Sequence, residues 1–122
     1  MLSEYTSLQP GDWVVQNAAN SGVGRSLIAL AKLRGLKTIN LARDDATFAE
    51  LTAAGADVVH ADDPDAVGDV RAVIGDARVA LAVDCVGGPG VARLVELLSD
   101  GGQLVSYSWA SGEPMWVDTL AL

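Results

Sequence analysis

The chain has 122 residues, half of them hydrophobic, and a formal net charge of −8. Its length fits one domain with a buried core, and eight Lys and Arg residues are too few for the basic face of a general nucleic-acid binder. No apolar run reaches the roughly 20 residues of a membrane span, and the N-terminus has no basic segment followed by an apolar one, so we expect a soluble, cytoplasmic protein without a signal peptide.

Five short apolar or β-branched runs alternate with helical patterns along the chain. Alternation at this spacing indicates a parallel sheet with helices on both faces, and near-continuous apolar runs are typical of strands buried on both sides. The predicted fold class is therefore α/β, a Rossmann-type doubly wound parallel sheet of about five strands. The predicted strands are Trp13–Gln16, Thr38–Ala42, Val58–His60, Val79–Cys85 and Gln103–Tyr107.

Apolar residues three or four positions apart predict a helix after each of the first four strands. Gly35 and Gly55 close the first two helices, and Asp63 followed by Pro64 predicts the start of the third, with Asp as the cap. The helical patterns are Val23, Leu27, Leu30, Ala31 and Arg34; Phe48, Leu51 and Ala54; Val67, Val70, Val73 and Ile74; and Val91, Leu94, Val95 and Leu98.

Both ends of the chain are expected to belong to a longer protein. Residues 1–9 are interpreted as the tail of a preceding helix, and the sequence breaks off at Thr119–Leu122 before a sixth strand. The domain is therefore expected to be truncated, with Gln103–Tyr107 as an exposed edge at which a homodimer would form.

A Gly-rich segment, residues 17–24, joins the first predicted strand to the first predicted helix. Backbone N–H groups at a helix N-terminus are unpaired and the helix dipole favours an anion there, so this position suits a pyrophosphate. The three positions of the G-x-G-x-x-G fingerprint are Ala19, Ser21 and Gly24, a degenerate match in which the last glycine allows close packing of helix and strand. The alternative is an ordinary turn with Asn20 or Ser21 as the helix cap.

Arg43 stands nineteen residues beyond Gly24, at the end of the second predicted strand. An acidic residue near this position binds the ribose 2′-hydroxyl of NAD, whereas an Arg suits the 2′-phosphate of NADP, so the sequence favours NADPH over NADH. Two alternatives stay open: Asp44 binds the ribose, or Asp44 and Asp45 cap the next helix and Arg43 is a solvated charge.

Ligands of open α/β sheets bind beyond the carboxyl ends of the strands. Gly87 and Gly88 follow the fourth strand and would let the backbone approach a ribose of the cofactor. Cys85 has no evident His partner and is interpreted as a small buried hydrophobe, and His60 lacks the partners of a metal ligand. We therefore predict neither a catalytic nor a metal-binding residue.

These segments together resemble the medium-chain dehydrogenase/reductase superfamily, and within it the mitochondrial-type trans-2-enoyl thioester reductases, which are relatives of quinone oxidoreductases. The resemblance rests on residues 8–12, 16–24, 38–44 and 85–88. It implies zinc-free, NADPH-dependent reduction of a 2-enoyl thioester on coenzyme A or acyl carrier protein. Hydride would pass from nicotinamide C4 to the substrate β-carbon, and a tyrosine of a separate catalytic domain would assist protonation.

The resemblance also implies roles for particular residues. Ser108-Trp109 stands where the family often has two glycines, and the catalytic domain is absent, so the chain alone is not expected to catalyse. The implied cofactor contacts are Asn20, Ser21, Gly22 and Val23, with Gly24 behind them, for the pyrophosphate; Arg43, Asp44 and Asp45 for the 2′-phosphate region; and Tyr107, Ser108, Trp109 and Ala110 for the nicotinamide side.

Other functions fit parts of the sequence. A quinone or enone reductase, or a standalone nucleotide-sensing module, would use the same fold. A short-chain dehydrogenase needs Lys four residues after its Tyr, and neither Tyr5 nor Tyr107 has one; a methyltransferase needs an acidic residue at the end of the first strand, which is also missing. We therefore predict that residues 1–122 form one NAD(P)-binding domain.

Overall fold

The computed structural model describes residues 8–19, 22–43, 45–86, 90–110 and 113–121, with only the backbone described beyond Ser106. Six strands and four α-helices lie within these residues, and a short 3-10 turn, Asp45–Thr47, precedes the second helix. In chain order they are β1 (Trp13–Gln16), α1 (Gly22–Leu33), β2 (Lys37–Ala42), α2 (Phe48–Ala53), β3 (Val58–Ala61), α3 (Ala66–Ile74), β4 (Val79–Asp84), α4 (Gly90–Leu97), β5 (Gln103–Ala110) and β6 (Glu113–Ala121).

The strands form one sheet in the order β3-β2-β1-β4-β5-β6. β1 to β5 run parallel, and β6 is antiparallel to β5. The order reverses between β1 and β4, because the chain builds outward through β2 and β3 and then returns to the other side of β1. Such a reversal opens a crevice at the carboxyl ends of the strands. The predicted Rossmann-type parallel sheet is confirmed.

β6 corrects the expectation that the chain stops before a sixth strand. It pairs with the whole of β5, from Gln103 opposite Ala121 to Ala110 opposite Glu113. Only two residues separate the two strands, so no helix intervenes, and a strand-helix alternation does not predict such a hairpin. Pro114 further weakens the strand signal, because proline is confined to edge strands and strand starts. β5 is consequently an inner strand, and the predicted edge at Gln103–Tyr107 is wrong.

Side chains of the central strands alternate between the two faces of the sheet. Val14 and Val15 are adjacent in β1 and both fully buried. Val14 belongs to a core cluster with Leu27 of α1, whereas Val15 belongs to a cluster with Val70 of α3 and Leu94 of α4. Helices therefore cover both faces, as predicted, and the apolar runs of β1 and β4 follow from burial on both sides.

The start of α3 differs from the prediction by two residues. The helix begins at Ala66 rather than at Pro64. The Asp63 carboxylate accepts the N–H of Asp65 at 3.0 Å, and the Asp63 carbonyl accepts the N–H of Ala66 at 3.1 Å. Asp63 thus organises the turn that leads into the helix.

The first turn of α1 lies against the residues that follow β1. A Cβ atom on Gly24 would lie 2.5 Å from the carbonyl oxygen of Ala19 and 2.7 Å from its Cα. Side chains do not tolerate contacts this short with backbone, so the position requires glycine. This close approach is the packing role predicted for the last glycine of the fingerprint.

The substitution Gly24→Ala is expected to lower the free energy of unfolding by about 1–3 kcal/mol, because the backbone of residue 19 must move. Gly68→Ala is the control. Gly68 lies inside α3, and nothing lies within 4 Å of where its Cβ would be, so its replacement should raise stability by roughly 0.8–1 kcal/mol. Urea denaturation of both variants measures the difference; a Gly24→Ala protein as stable as the wild type would contradict the close packing.

Candidate functional site

The turn after β1 spans the point at which the strand order reverses. The N–H of Asn17 donates to the Val83 carbonyl of β4 at 3.3 Å, and the N–H of Ala19 donates to the Leu41 carbonyl of β2 at 3.2 Å. Between them Ala18 has a φ of 50°, in the left-handed region that non-glycine residues seldom adopt. The turn is therefore held by main-chain hydrogen bonds on both of its sides.

Asp84 ends β4 and ties three parallel strands together at this edge. It is 1% exposed, and its Oδ1 accepts the Asn17 side-chain amide at 2.7 Å and the Val86 N–H at 3.1 Å. Its Oδ2 accepts the Ser106 hydroxyl of β5 at 2.8 Å. The Asn17 side-chain oxygen in turn accepts the Cys85 N–H at 2.7 Å. We call Asn17, Asp84 and Ser106 the switch-point cluster.

Sequence reasoning assigned no role to the switch-point cluster. The available signal was an aspartate at the end of an otherwise apolar strand, Val79–Asp84, which is buried along its whole length. A buried carboxylate needs donors, but nothing local identified Asn17, 67 residues away, as one of them.

A second buried polar group lies under the first turn of α1. The Gln16 amide nitrogen donates to the Gly24 carbonyl at 3.0 Å and to the Asn40 side-chain oxygen at 2.8 Å. The Asn40 amide nitrogen donates to the Thr38 hydroxyl at 2.9 Å and to the Val58 carbonyl at 3.0 Å. These bonds connect the start of α1 to β1, β2 and β3. The sequence did not predict these hydrogen bonds because, as in the switch-point cluster, nothing local identified the partners.

Three of the predicted pyrophosphate contacts, Gly22, Val23 and Gly24, lie at the start of α1. Gly22 is exposed, and nothing lies within 4 Å of where its Cβ would be. Val23 is half-buried and Gly24 is buried. Asn20 and Ser21 lie outside the described residues. An open helix start at the carboxyl edge of the sheet has the geometry of an anion site.

The predicted 2′-phosphate region lies beside the same turn. Arg43 follows β2 directly and is exposed, as is Asp45, while Asp44 lies outside the described residues. Ala42 and Ala19 share a core cluster with Leu51 of α2. This packing brings the connection between β2 and α2 next to the Gly-rich turn.

An ion pair joins the first turns of α1 and α2. Arg25 Nη1 lies 2.5 Å from Glu50 Oε1, and the side chains are 42% and 59% exposed. Their hydrogen bond and opposite charges raise the pKa of Arg25 and lower the pKa of Glu50. Sequence reasoning did not identify this pair.

The ends of β4 and β5 form the other side of the crevice. Burial, and then the neighbouring Asp84 charge, raise the pKa of the Cys85 thiol to about 11, so the thiol is neutral at physiological pH and a poor nucleophile. Val86 is exposed, and residues 87–89 lie outside the described residues. β5 runs three residues beyond its predicted end, so Tyr107, Ser108, Trp109 and Ala110 are strand residues paired with β6; their side chains are not described.

His60 contacts acceptors on both ring nitrogens. Nδ1 lies 2.8 Å from the Ala61 carbonyl, and Nε2 lies 2.8 Å from an Asp69 carboxylate oxygen of α3. Both partners only accept, so the doubly protonated ring satisfies them best. The Ala61 carbonyl, followed by Asp69 and Asp63, raises the pKa of His60 against the opposing effect of burial.

Comparison with known proteins shows which protein family the chain matches and which curated proteins it is similar to. The model of a family described as zinc-binding dehydrogenase matches residues 22–121. The mitochondrial enoyl-acyl-carrier-protein reductase of Arabidopsis thaliana is 40% identical over 98% of this chain, and that of Dictyostelium discoideum is 39% identical over 100%. The chain spans about a third of the length of these curated relatives, 33% and 36%.

A solved structure shares the fold. A mutant of the reductase Etr1p in complex with NADP and crotonyl-CoA superimposes with a TM-score of 0.79 at 28% identity, covering 88% of this chain and 33% of that one.

The family description mentions zinc, but the described residues do not fit a zinc site. No group of three or more His, Cys, Asp and Glu side chains converges within them. Two of the aspartates that follow β3 have other partners: Asp62 accepts the Arg93 guanidinium at 2.9 Å, and Asp63 accepts the N–H of Asp65.

None of the described helices has the length and apolar character to cross a bilayer.

The His60 contacts predict a pH dependence of stability. Because the folded-state pKa is raised, the contribution is complete below the unfolded value of about 6.5 and is lost as the pH rises through the folded pKa. His60→Gln should therefore destabilise the protein more at about pH 5.5 than at about pH 8.5. The difference should stay below about 1 kcal/mol, since water screens the exposed Asp69. Urea denaturation at both pH values tests this; an equal or reversed difference would show that His60 is not charged in the folded state.

The switch-point cluster predicts different effects of two substitutions. Asp84→Ala should lower the free energy of unfolding by at least about 2 kcal/mol, because it leaves buried donors without an acceptor at about 1–3 kcal/mol each. Asp84→Asn should retain most of the stability, since its oxygen still accepts from Asn17 and its amide can donate to a rotated Ser106 hydroxyl. Thermal or urea unfolding distinguishes the two variants. Equal stability of both would contradict the role of Asp84 as the acceptor of the switch-point cluster.

Proposed function

The chain belongs to the zinc-binding dehydrogenase family, and we propose that it is the NADPH-binding domain of a reductase that saturates the C=C bond of 2-enoyl thioesters. The observation that carries the proposal is the turn at residues 17–24, which spans the reversal of strand order with Arg43 at the end of the neighbouring strand. The names of the most similar relatives and the crotonyl-CoA complex of Etr1p support the thioester substrate. Substrate chemistry belongs to the longer protein, since the chain spans only a third of such relatives.

The pyrophosphate binds at the start of α1 in this proposal. Gly22 leaves the helix start open, while the close packing of Gly24 on Ala19 brings the first N–H groups of α1 to the edge of the crevice. The first N–H groups of any α-helix have no acceptors within the helix itself, and the helix dipole adds partial positive charge there. The chain therefore offers an anion site without a basic patch.

The 2′-phosphate binds Arg43. The Ala19–Leu41 hydrogen bond holds the pyrophosphate turn beside the end of β2, so a dinucleotide that lies on the turn extends its adenosine ribose toward Arg43. A guanidinium can pair with phosphate through two parallel N–H donors. Asp44 follows Arg43 directly in the sequence, and its carboxylate, which would bind the ribose 2′-hydroxyl of NADH, is the main argument for the alternative.

NADPH supplies the hydride for the substrate β-carbon when bound, and the protein supplies position and electrostatics. The switch-point cluster holds the ends of β1, β4 and β5 in fixed relation, and Tyr107, Ser108, Trp109 and Ala110 extend β5 along the nicotinamide side. Cys85 stays a neutral thiol. We assign no proton transfer to the described residues.

A second copy of the chain would pair through β6 rather than β5. β6 is the last strand on its side of the sheet within the described residues, and an edge strand presents unpaired backbone groups.

Calorimetric titration of the 122-residue chain with NADPH and with NADH tests the proposal. NADPH should bind more tightly, and Arg43→Ala should weaken it about 10- to 100-fold, the size of a lost hydrogen bond to a charged group, with NADH binding unchanged. Arg34→Ala, which removes an exposed charge beyond the far end of α1, should change neither. Tighter NADH binding would move the ribose contact to Asp44, and failure to bind either cofactor would refute the proposed domain function.

A further inference from the structure

We propose that Arg25 is a second ligand of the cofactor 2′-phosphate and that Glu50 holds it until the phosphate arrives. The proposal rests on the proposed function and adds a residue that the fingerprint does not include. It assigns the Arg25–Glu50 ion pair a role in choosing between NADPH and NADH.

The position of the pair carries the argument. Arg25 is the fourth residue of α1 and Glu50 is the third residue of α2. Both helices begin at the carboxyl edge of the sheet, since each follows a parallel strand, and both pack on the same face, where Ile28 and Leu51 share a core cluster. The ion pair thus bridges the two helix starts that flank the connection carrying Arg43.

The charge balance of this connection leaves room for a second cation. Arg43 is followed directly by Asp44 and Asp45, so the three residues together carry a net negative charge. In the described parts of α1, α2 and the segment between β2 and α2, the other cations are Arg25 and Lys32. Lys32 lies toward the far end of α1, where its side chain approaches Gly55. Among these elements, Arg25 is therefore the cation that can act together with Arg43.

The chemistry of the exchange favours the phosphate. Both members of the pair are largely exposed, and an exposed pair contributes little to stability, so separating it costs little. A phosphate monoester carries about −1.5 to −2 charge and three acceptor oxygens near neutral pH, compared with a single negative charge on Glu50. The guanidinium stays protonated throughout, so no proton moves in the exchange.

A purely structural pair makes a different prediction. If the contact only fastens α1 to α2, removal of either partner should have the same direction of effect on binding, and it should affect both cofactors alike. If Glu50 competes with the phosphate for Arg25, removal of the two partners should have opposite effects, and only on NADPH.

Four variants of the 122-residue chain test this: Arg25→Gln, Arg25→Lys, Glu50→Gln, and Arg34→Gln as the control. Arg34 lies nine residues beyond Arg25, about 13 Å along the helix direction, and its loss causes the same change of net charge. Dissociation constants for NADPH and NADH are measured by calorimetry at low and at high salt, and thermal unfolding checks that each variant is folded.

Arg25→Gln should weaken NADPH binding roughly 5- to 10-fold, the scale of one exposed charged contact, and should leave NADH binding unchanged. Arg25→Lys should recover part of the loss because it keeps the charge without the planar fork. Glu50→Gln should tighten NADPH binding about 2- to 5-fold by removing the competing acceptor and its like charge. The NADPH effects should shrink at high salt, and Arg34→Gln should change neither constant.

Two outcomes overturn the inference. In the first, Arg25→Gln and Glu50→Gln shift binding in the same direction, or shift NADPH and NADH equally, which marks the pair as structural. In the second, Arg43→Ala abolishes the preference for NADPH while Arg25→Gln leaves it intact, and the proposed function then survives without Arg25. Absence of any cofactor binding by the wild type would instead overturn the proposed function and this inference with it.

Discussion

A buried hydrogen bond of 2.7 Å between Asn17 and Asp84 joins β1 to β4, the two strands between which the order of the sheet reverses. The crevice opens at this reversal, so the hydrogen bonds that join the strand ends must leave the space above them free. The Asp84 carboxylate provides these bonds from below, by accepting Asn17 and Val86 on one oxygen and Ser106 on the other. The first residue of the Gly-rich turn, Asn17, and the first residues after β4, Cys85 and Val86, are held by this cluster.

Two packing constraints complete the site on the α1 side. Gly24 lets the helix start close to Ala19, and the Gln16–Asn40 pair holds the Gly24 carbonyl from beneath. Buried polar groups stabilise a fold only when their hydrogen bonds are made. The amide nitrogens of Gln16 and Asn40 each donate two such bonds within the protein. Arg43 and the Arg25–Glu50 ion pair lie exposed at this edge, above the buried hydrogen bonds.

The sequence predicted the elements whose signals are local. Parallel strands buried on both faces appear as continuous apolar runs, and the β1 boundaries agree to the residue. Gly24 was predictable because a fingerprint encodes close packing at that position. β6 was missed because a two-residue hairpin interrupts the strand-helix alternation. The polar clusters and the Arg25–Glu50 pair were missed because partners such as Gln16 and Asn40, Arg25 and Glu50, and Asn17 and Asp84 are 24, 25 and 67 residues apart, and only the fold brings them together.

Mapping of backbone amide shifts in the 122-residue chain on titration with NADPH would locate the dinucleotide site independently of its affinity. We expect saturable shifts at Gly22, Gly24 and Arg43 on the carboxyl edge of the sheet, with Lys37 and Gly102 at the amino edge unaffected. Shifts confined to the amino edge, or no saturable shifts, would contradict a dinucleotide site at the reversal of the strand order.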